Sequence, residues 1–369
     1  MEASAPKTGK GFSTNFTDVT ANFTNVTTLT DDVTTNTSDA GKNSTSYVRS
    51  ELNEVTMWLM VYVIPVIFSF GIFGNSVSFV VFLSEKMRRV STNVYLAALS
   101  ASNSVFLVAV GVSWTDVVGL KLMHRQGVCQ ASVYLTYCSG FVSVWLVVCI
   151  TVENFVINFF LHKASKHCTV RKALSFVILL CVSGFLLYDF AIWTTGIMSF
   201  NSSQTQYCTA YPEYQSIVEM FTLVDIIVTL IVPTVVILAL VIPTCVKNIS
   251  RNSRRATSTR VTLSRKERAL LRVTRLLCVI IVSFVLLTAP SHLNKLRHLF
   301  LGPRGGREAG SADMFVVFIC QVFYHLSFSV NFVYFLIWGK NFRRRFCHLF
   351  VSLYKILCRC RRKLLLADY

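Results

Sequence analysis

The sequence predicts an all-α fold: a bundle of seven membrane-spanning helices with a short amphipathic eighth helix at one membrane face. Three observations carry this expectation. The chain of 369 residues is 53% hydrophobic and only 15% charged, too apolar for an ordinary soluble domain, and its apolar residues come in long blocks. Seven blocks, roughly 57–83, 93–118, 128–158, 172–195, 216–246, 270–294 and 314–338, meet the length of about 20 residues that a hydrocarbon core demands. Finally, basic residues gather in alternate connections. They are Lys86, Arg88 and Arg89 after the first block, Lys163, Lys166, Arg171 and Lys172 after the third, a run from Lys247 to Arg268 after the fifth, and a tail from Lys340 to Lys363. Basic connections stay on the cytoplasmic side, so the amino terminus is expected outside and the carboxyl terminus inside. The net charge of +18 is assigned to this topology and to anionic lipid headgroups; no nucleic-acid partner is expected.

Residues 1–56 read as a disordered extracellular tail, rich in Thr, Ser and Asn and too poor in large apolar residues to fold alone. Five glycosylation sequons fall there, at Asn15, Asn22, Asn25, Asn36 and Asn43. No apolar core precedes Met57, so the first span is expected to act as its own insertion signal. Residues 57–338 form the membrane domain. The first block holds Gly71, Gly74 and Asn75, the last expected to face the bundle and find a partner there. A basic turn, Met87-Arg88-Arg89-Val90, then leads into Ser91-Thr92, read as the cap of the second helix. The third block runs from Cys129 to Glu153, about 36 Å of helix, with a cysteine at one membrane face and an acid at the other. Asp225 lies in the fifth block, ahead of Pro233, where a carboxylate is costly and usually functional. Pro233 and Pro290 remove backbone donors and are expected to kink their helices. Residues 339–369 bring Phe342, Phe346, Phe350 and Leu353 at helical spacing among Arg343, Arg344 and Arg345, an interfacial amphipathic helix. Cys358 and Cys360 follow among basic residues, a setting suited to palmitoylation.

Gly74-Asn75 followed by Met87-Arg88-x-x-Ser91-Thr92-Asn93-x-Tyr95-Leu96 resembles the first two helices of a rhodopsin-like (class A) G-protein-coupled receptor. Ser143-Val144-Trp145-Leu146, Thr151-Val152-Glu153, Cys168-Thr169-Val170-Arg171, Phe284 with Pro290-Ser291-His292, and Gly339-Lys340-Asn341-Phe342-Arg343 extend the likeness over about residues 55–360. Within that family the chain looks most like peptide receptors, including invertebrate neuropeptide receptors of the FMRFamide and sex-peptide kind. Cys129 and Cys208 both fall at the outer end, in an oxidising compartment. The resemblance implies a disulfide between them, pinning the loop after the fourth span to the third helix. The other cysteines within or near the spans, Cys138, Cys149, Cys181, Cys245, Cys278 and Cys320, read mostly as small apolar filler.

A bundle open to the outside makes a pocket between helices. Candidate ligand contacts are Thr136 and Tyr137 on the third helix, Asp225 on the fifth, His292, Lys295 and His298 on the sixth, and Gln321, Tyr324 and His325 on the seventh. For any one of them, helix packing or an internal pair is an equal reading. Thr136 stands where many amine receptors carry Asp, which argues against a small biogenic amine. The seventh block has no Lys for a Schiff base, so no retinal, and no other cofactor, is expected.

Departures from the family gather at its switch positions: Asn75 is kept, but the mid-membrane Asp of the second helix becomes Asn103, where a sodium site is not expected. The acid-Arg-aromatic motif becomes Glu153-Asn154-Phe155, so Glu153 loses its local ion pair. The seventh helix reads Asn331-Phe332-Val333-Tyr334 without the family's proline, and Tyr334 is shifted by one. Two readings of function remain. One is a plasma-membrane receptor for an extracellular (neuro)peptide, partnered by a heterotrimeric G protein, arrestin and membrane lipids. The other keeps the fold as a decoy, scavenging or arrestin-biased receptor. A membrane transporter is a remote third. An enzyme is not expected, since neither a His-Glu-x-x-His nor a Gly-x-Ser-x-Gly motif occurs.

Overall fold

A computed structural model describes residues 40–199, 206–257, 265–301, 311–351 and 354. Within it, helices α1 (Ala40–Leu83), α2 (Ser91–Trp114), α3 (Val128–Phe159) and α4 (Val170–Leu187) follow one another. After α4 come a short helical turn, Phe190–Thr194, and a hairpin of β1 (Thr195–Ser199) and β2 (Gln206–Ala210). Helix α5 is continuous from Gln215 to Thr257 through a π turn at Ile227–Ile231. Helix α6 covers Arg265–Leu301, and α7 is two segments, Ser311–Ser329 and Asn331–Trp338. A last helix, α8, covers residues 340–351. Six of these helices are long and apolar enough to cross a membrane, and the bent α7 pair makes a seventh.

The helix α1 begins upstream of the expected boundary at 57. Once the apolar span has formed a helix, each further turn adds a hydrogen bond without a new nucleus, so the helix extends back to Ala40; its apolar span starts at Glu54. The sequons at Asn15, Asn22, Asn25 and Asn36, the Asn43 side chain, and the cysteines Cys358 and Cys360 lie outside the described residues.

Helix α3 is the axis of the bundle, packing against α2, α4, α5 and α6. In their most apolar windows, 67% of α3 is buried inside the protein but only 22% of α4. Helix α4 turns Leu174, Phe176, Ile178, Leu179, Val182 and Phe185 outward, which is the face hydrocarbon accepts. The Cys129–Cys208 disulfide joins the first turn of α3 to β2, with Cα atoms 5.7 Å apart. In the hairpin register Ile197 lies opposite Cys208. The sequence reading left these two strands out, because each is only five residues long and β1 begins where a long apolar block ends.

Although it has no proline, α7 bends by 46° at Val330. The cause is a set of bonds to α1. Asn75 Nδ2 donates to the Phe328 carbonyl at 2.8 Å, an acceptor that an unbroken helix would keep for the amide four residues on. Ser329 Oγ donates to the Ile67 carbonyl at 3.1 Å. Close approach makes this possible: a Cβ on Gly74 would stand 2.7 Å from the Phe332 Cβ. On α5, the π turn lies just ahead of Pro233, whose missing donor loosens the ladder there. Helix α6 runs unbroken through Pro290. Beyond α7, Phe342 of α8 is buried against Phe82 and Phe335, both with ring centroids 5.3 Å away. Arg343 donates to the carbonyls of Leu336 at 2.9 Å and Ile337 at 2.7 Å, closing the last turn of α7 with a cation, as its dipole favours.

Replacing Asn75 with Ala removes the tie between α1 and the bend of α7 and leaves a buried carbonyl short of its donor. We expect a loss of about 1–3 kcal/mol, read as a lower thermal unfolding midpoint of the detergent-solubilised protein. An unchanged midpoint would mean that Ser329 alone holds the bend.

Candidate functional site

At the disulfide end, α2, α3, α5, α6 and α7 enclose a cavity whose wall includes Phe106, Thr136, Tyr137, Asp225, Thr229, Lys295, Gln321, Tyr324 and His325. The chemistry centres on Asp225, which is buried. Its Oδ1 accepts from Tyr188 Oη at 2.7 Å, and its Oδ2 lies 3.9 Å from Lys295 Nζ. That separation is an ion pair without a direct hydrogen bond. The ammonium also stands 6.0 Å from the Tyr324 ring centroid. Tyr188 is itself fixed by stacking on Tyr137 at 5.4 Å. Thr136 turns its hydroxyl back to the Ser132 carbonyl at 2.8 Å, and Gln321 accepts from Ser291 at 3.4 Å. Of the nine residues expected at a ligand site, His292 is absent from the wall and the His298 side chain lies outside the described residues. His292 stacks edge-on against Tyr324, centroids 5.6 Å apart, buried, with both ring nitrogens unpartnered among the described residues.

The Glu153 end holds a second polar cluster. Glu153 is buried, and its carboxylate accepts hydroxyl bonds from Ser91 and, at 2.6 Å, from Thr92. Those hydroxyls were expected to cap α2. The N-cap is instead Val90, with no side-chain bond, because the Glu153 carboxyl takes both hydroxyls. The carboxylate therefore rests at the positive end of the α2 dipole, which replaces the missing ion pair. Asn154 faces the other way. Its Oδ1 accepts from Thr274 Oγ1 on α6 at 3.2 Å and from Asn158 Nδ2 at 3.1 Å. Asn158 Nδ2 also lies 3.1 Å from Thr274 Oγ1. From α5, Lys247 Nζ donates to the Asn158 carbonyl at 2.8 Å and sits 4.1 Å above the Phe159 ring. Asn154, Asn158 and Thr274 are all buried, so an uncharged clasp ties α3 to α6, with Lys247 adding α5. Midway along the bundle, Asn103 accepts from Ser143 at 2.8 Å. Asn331 is buried in the first turn after the α7 bend, and Tyr334 packs on Trp338 at 5.9 Å.

Comparison with known proteins places this geometry. The family described as 7 transmembrane receptor (rhodopsin family) matches residues 74–331. The chain belongs to that family. The thyrotropin-releasing hormone receptor of Mus musculus is 23% identical over 350 residues, spanning 86% of this chain and 82% of that protein. The FMRFamide receptor of Drosophila melanogaster is 25% identical over 325 residues, 81% of this chain and 55% of the relative. The FMRFamide peptide receptor frpr-18 of Caenorhabditis elegans is 32% identical over 142 residues, 36% of this chain and 32% of the relative.

The receptor's two clusters contain residues that sequence reasoning did not single out. Tyr188, within the fourth apolar block, and Phe106, within the second, were not singled out because nothing in sequence sets them apart from neighbouring aromatic and apolar residues. Asn158 had an available signal, since it follows Asn154 by one helical turn and shares its face. Thr274 and Lys247 had none, because they meet α3 only once the bundle is assembled.

Thr274→Val keeps the shape of the side chain and deletes its bonds to Asn154 and Asn158. We expect the Glu153 end of α6 to separate from α3 more often, by a factor of about five for a loss near 1 kcal/mol. An environment-sensitive fluorophore near Arg265, compared between variant and natural receptor in detergent, measures it.

Proposed function

We propose that this receptor binds an extracellular peptide in the cavity at the disulfide end and transmits binding to a heterotrimeric G protein at the Glu153 end. The basic connections support the orientation: Arg88, Arg89, Lys166, Arg171, Lys247 and Arg343 all lie toward the Glu153 end, so that end is cytoplasmic and the receptor sits in the plasma membrane. The observation that carries the reading is the buried Asp225–Lys295 pair, 3.9 Å apart on the cavity wall. The ammonium spends no short hydrogen bond on the carboxylate, so its donors remain for acceptors of the ligand, and Asp225 offers an acceptor beside them. Backbone amides and polar side chains of a peptide supply both kinds of partner. A small amine fits less well, because Lys295 opposes a second cation near Asp225. The relatives agree in kind, being named as receptors for thyrotropin-releasing hormone and for FMRFamide peptide. Nothing among them favours a decoy or scavenging role.

Binding at the cavity would shift a two-state bundle. Asp225 and Lys295 lie on α5 and α6, the same helices that carry Lys247 and Thr274 of the clasp, so a ligand that pulls α5 and α6 together at one end loads the contacts at the other. With Asn154 in place of an arginine, the clasp releases by exchanging hydrogen bonds rather than by breaking an ion pair.

The test is G-protein activation in cells expressing the natural chain, challenged with a library of amidated neuropeptides, beside Lys295→Gln and Asn154→Arg at matched surface levels. We expect a peptide that activates the natural chain and needs at least tenfold more concentration with Lys295→Gln. A response found in Asn154→Arg alone would locate the pocket correctly but remove natural G-protein coupling. Equal potency on Lys295→Gln would move the ligand site away from the Asp225 pair.

A further inference from the structure

Cys245 on α5 and Cys278 on α6 face each other with their sulfurs 3.6 Å apart. We propose that these two thiols form a reversible disulfide, a redox-modification site that ties α5 to α6 near the clasp. Both cysteines are free and only partly buried. A disulfide needs a sulfur separation of about 2.05 Å, so forming the bond must bring the two sulfurs, 3.6 Å apart, closer together.

The neighbours hold the pair in this register. Lys247, half a turn beyond Cys245, is fixed on the Asn158 carbonyl at 2.8 Å. Thr274, one turn before Cys278, is fixed on Asn154 at 3.2 Å. Both cysteines therefore sit on turns already pinned to α3, and parting α5 from α6 at this level would carry the sulfurs out of reach. The bond can form only while the clasp is closed, and once formed it keeps these turns together. The site differs in kind from Cys129–Cys208. With the orientation proposed above, the Glu153 end faces the cytosol, where disulfides are transient and serve redox sensing.

Hydrogen peroxide is the oxidant, and its chemistry balances in two steps. One cysteine, losing its proton, attacks a peroxide oxygen; the O–O bond breaks, the cysteine becomes a sulfenic acid, and the departing hydroxide takes the proton as water. The second thiol then attacks that sulfur, the S–O bond breaks, and a second water leaves with the remaining proton. Two electrons pass from the sulfurs to the peroxide. A small cytosolic thiol reverses the bond through a mixed disulfide.

The test uses the full chain with a protease site inserted between Thr257 and Arg265. Cys129 and Cys208 both precede the cut, so their bond does not join the two pieces. Membranes are treated with hydrogen peroxide, alkylated, cut and separated without reductant. We expect the pieces of the natural sequence to stay joined and to part on adding dithiothreitol. In Cys245→Ser and in Cys278→Ser the joined fraction should fall at least fivefold, with Cys245→Ala and Cys278→Ala repeating the result where serine impairs folding. Pieces that part despite oxidation, or that stay joined in either single variant, overturn the proposal. The readout needs neither peptide nor G protein, so it is decided independently of the proposed function.

Discussion

No water reaches the middle of a membrane, so a polar group there must find its partner inside the protein. Much of this receptor's architecture follows from that constraint. Hydroxyls in the spans turn back on the preceding turn, as Ser78 does to Gly74, Thr151 to Val147 and Thr244 to Leu240, and need nothing from other helices. The amides and acids carry more donors and acceptors than one turn can satisfy, and they also reach across. Asn75 crosses to α7, Ser143 reaches Asn103 on α2, Glu153 draws two hydroxyls from α2, and Asp225 takes Tyr188 from the end of α4 and Lys295 from α6. These few crossings set the rotation of each helix about its axis, which apolar packing alone leaves loosely specified.

The two polar clusters sit at opposite ends of the same helices. Because α5 and α6 contribute to both, Asp225 and Lys247 belong to one rod and Lys295 and Thr274 to another. The π turn at Ile227–Ile231 lies between the two clusters on α5, and Pro290 lies between them on α6. Each rod thus carries a weakened stretch of backbone where bending is least costly.

The bundle was legible in the sequence because long apolar blocks and alternating basic connections are local signals, readable without knowing how helices pack. Asp225 and Lys295 were legible for a related reason, since a charge at membrane depth is costly anywhere in such a chain. Their pairing with each other was one of several options, and only the rotation of α5 against α6 selects it. Ser91 and Thr92 were misread as a cap because the acid that claims them is far off in sequence. The bend in α7 was hidden for the same reason: its cause is Asn75, on another helix, and not a proline of its own. Cys245 and Cys278 read singly as filler, and their closeness emerges only from the assembled structure.

The clasp at the Glu153 end has a consequence for how this arrangement of helices responds to its surroundings. Its members on α3 and α6 are two amides and a hydroxyl, none of which titrates near neutral pH. Dissolved ions screen a salt bridge but do little to a buried amide–hydroxyl bond. A receptor latched by opposite charges drifts toward activity when ionic strength rises or an acid is protonated. The bonds between Asn154, Asn158 and Thr274 rest on dipoles, so their hold on α6 depends on packing and temperature more than on salt or acidity.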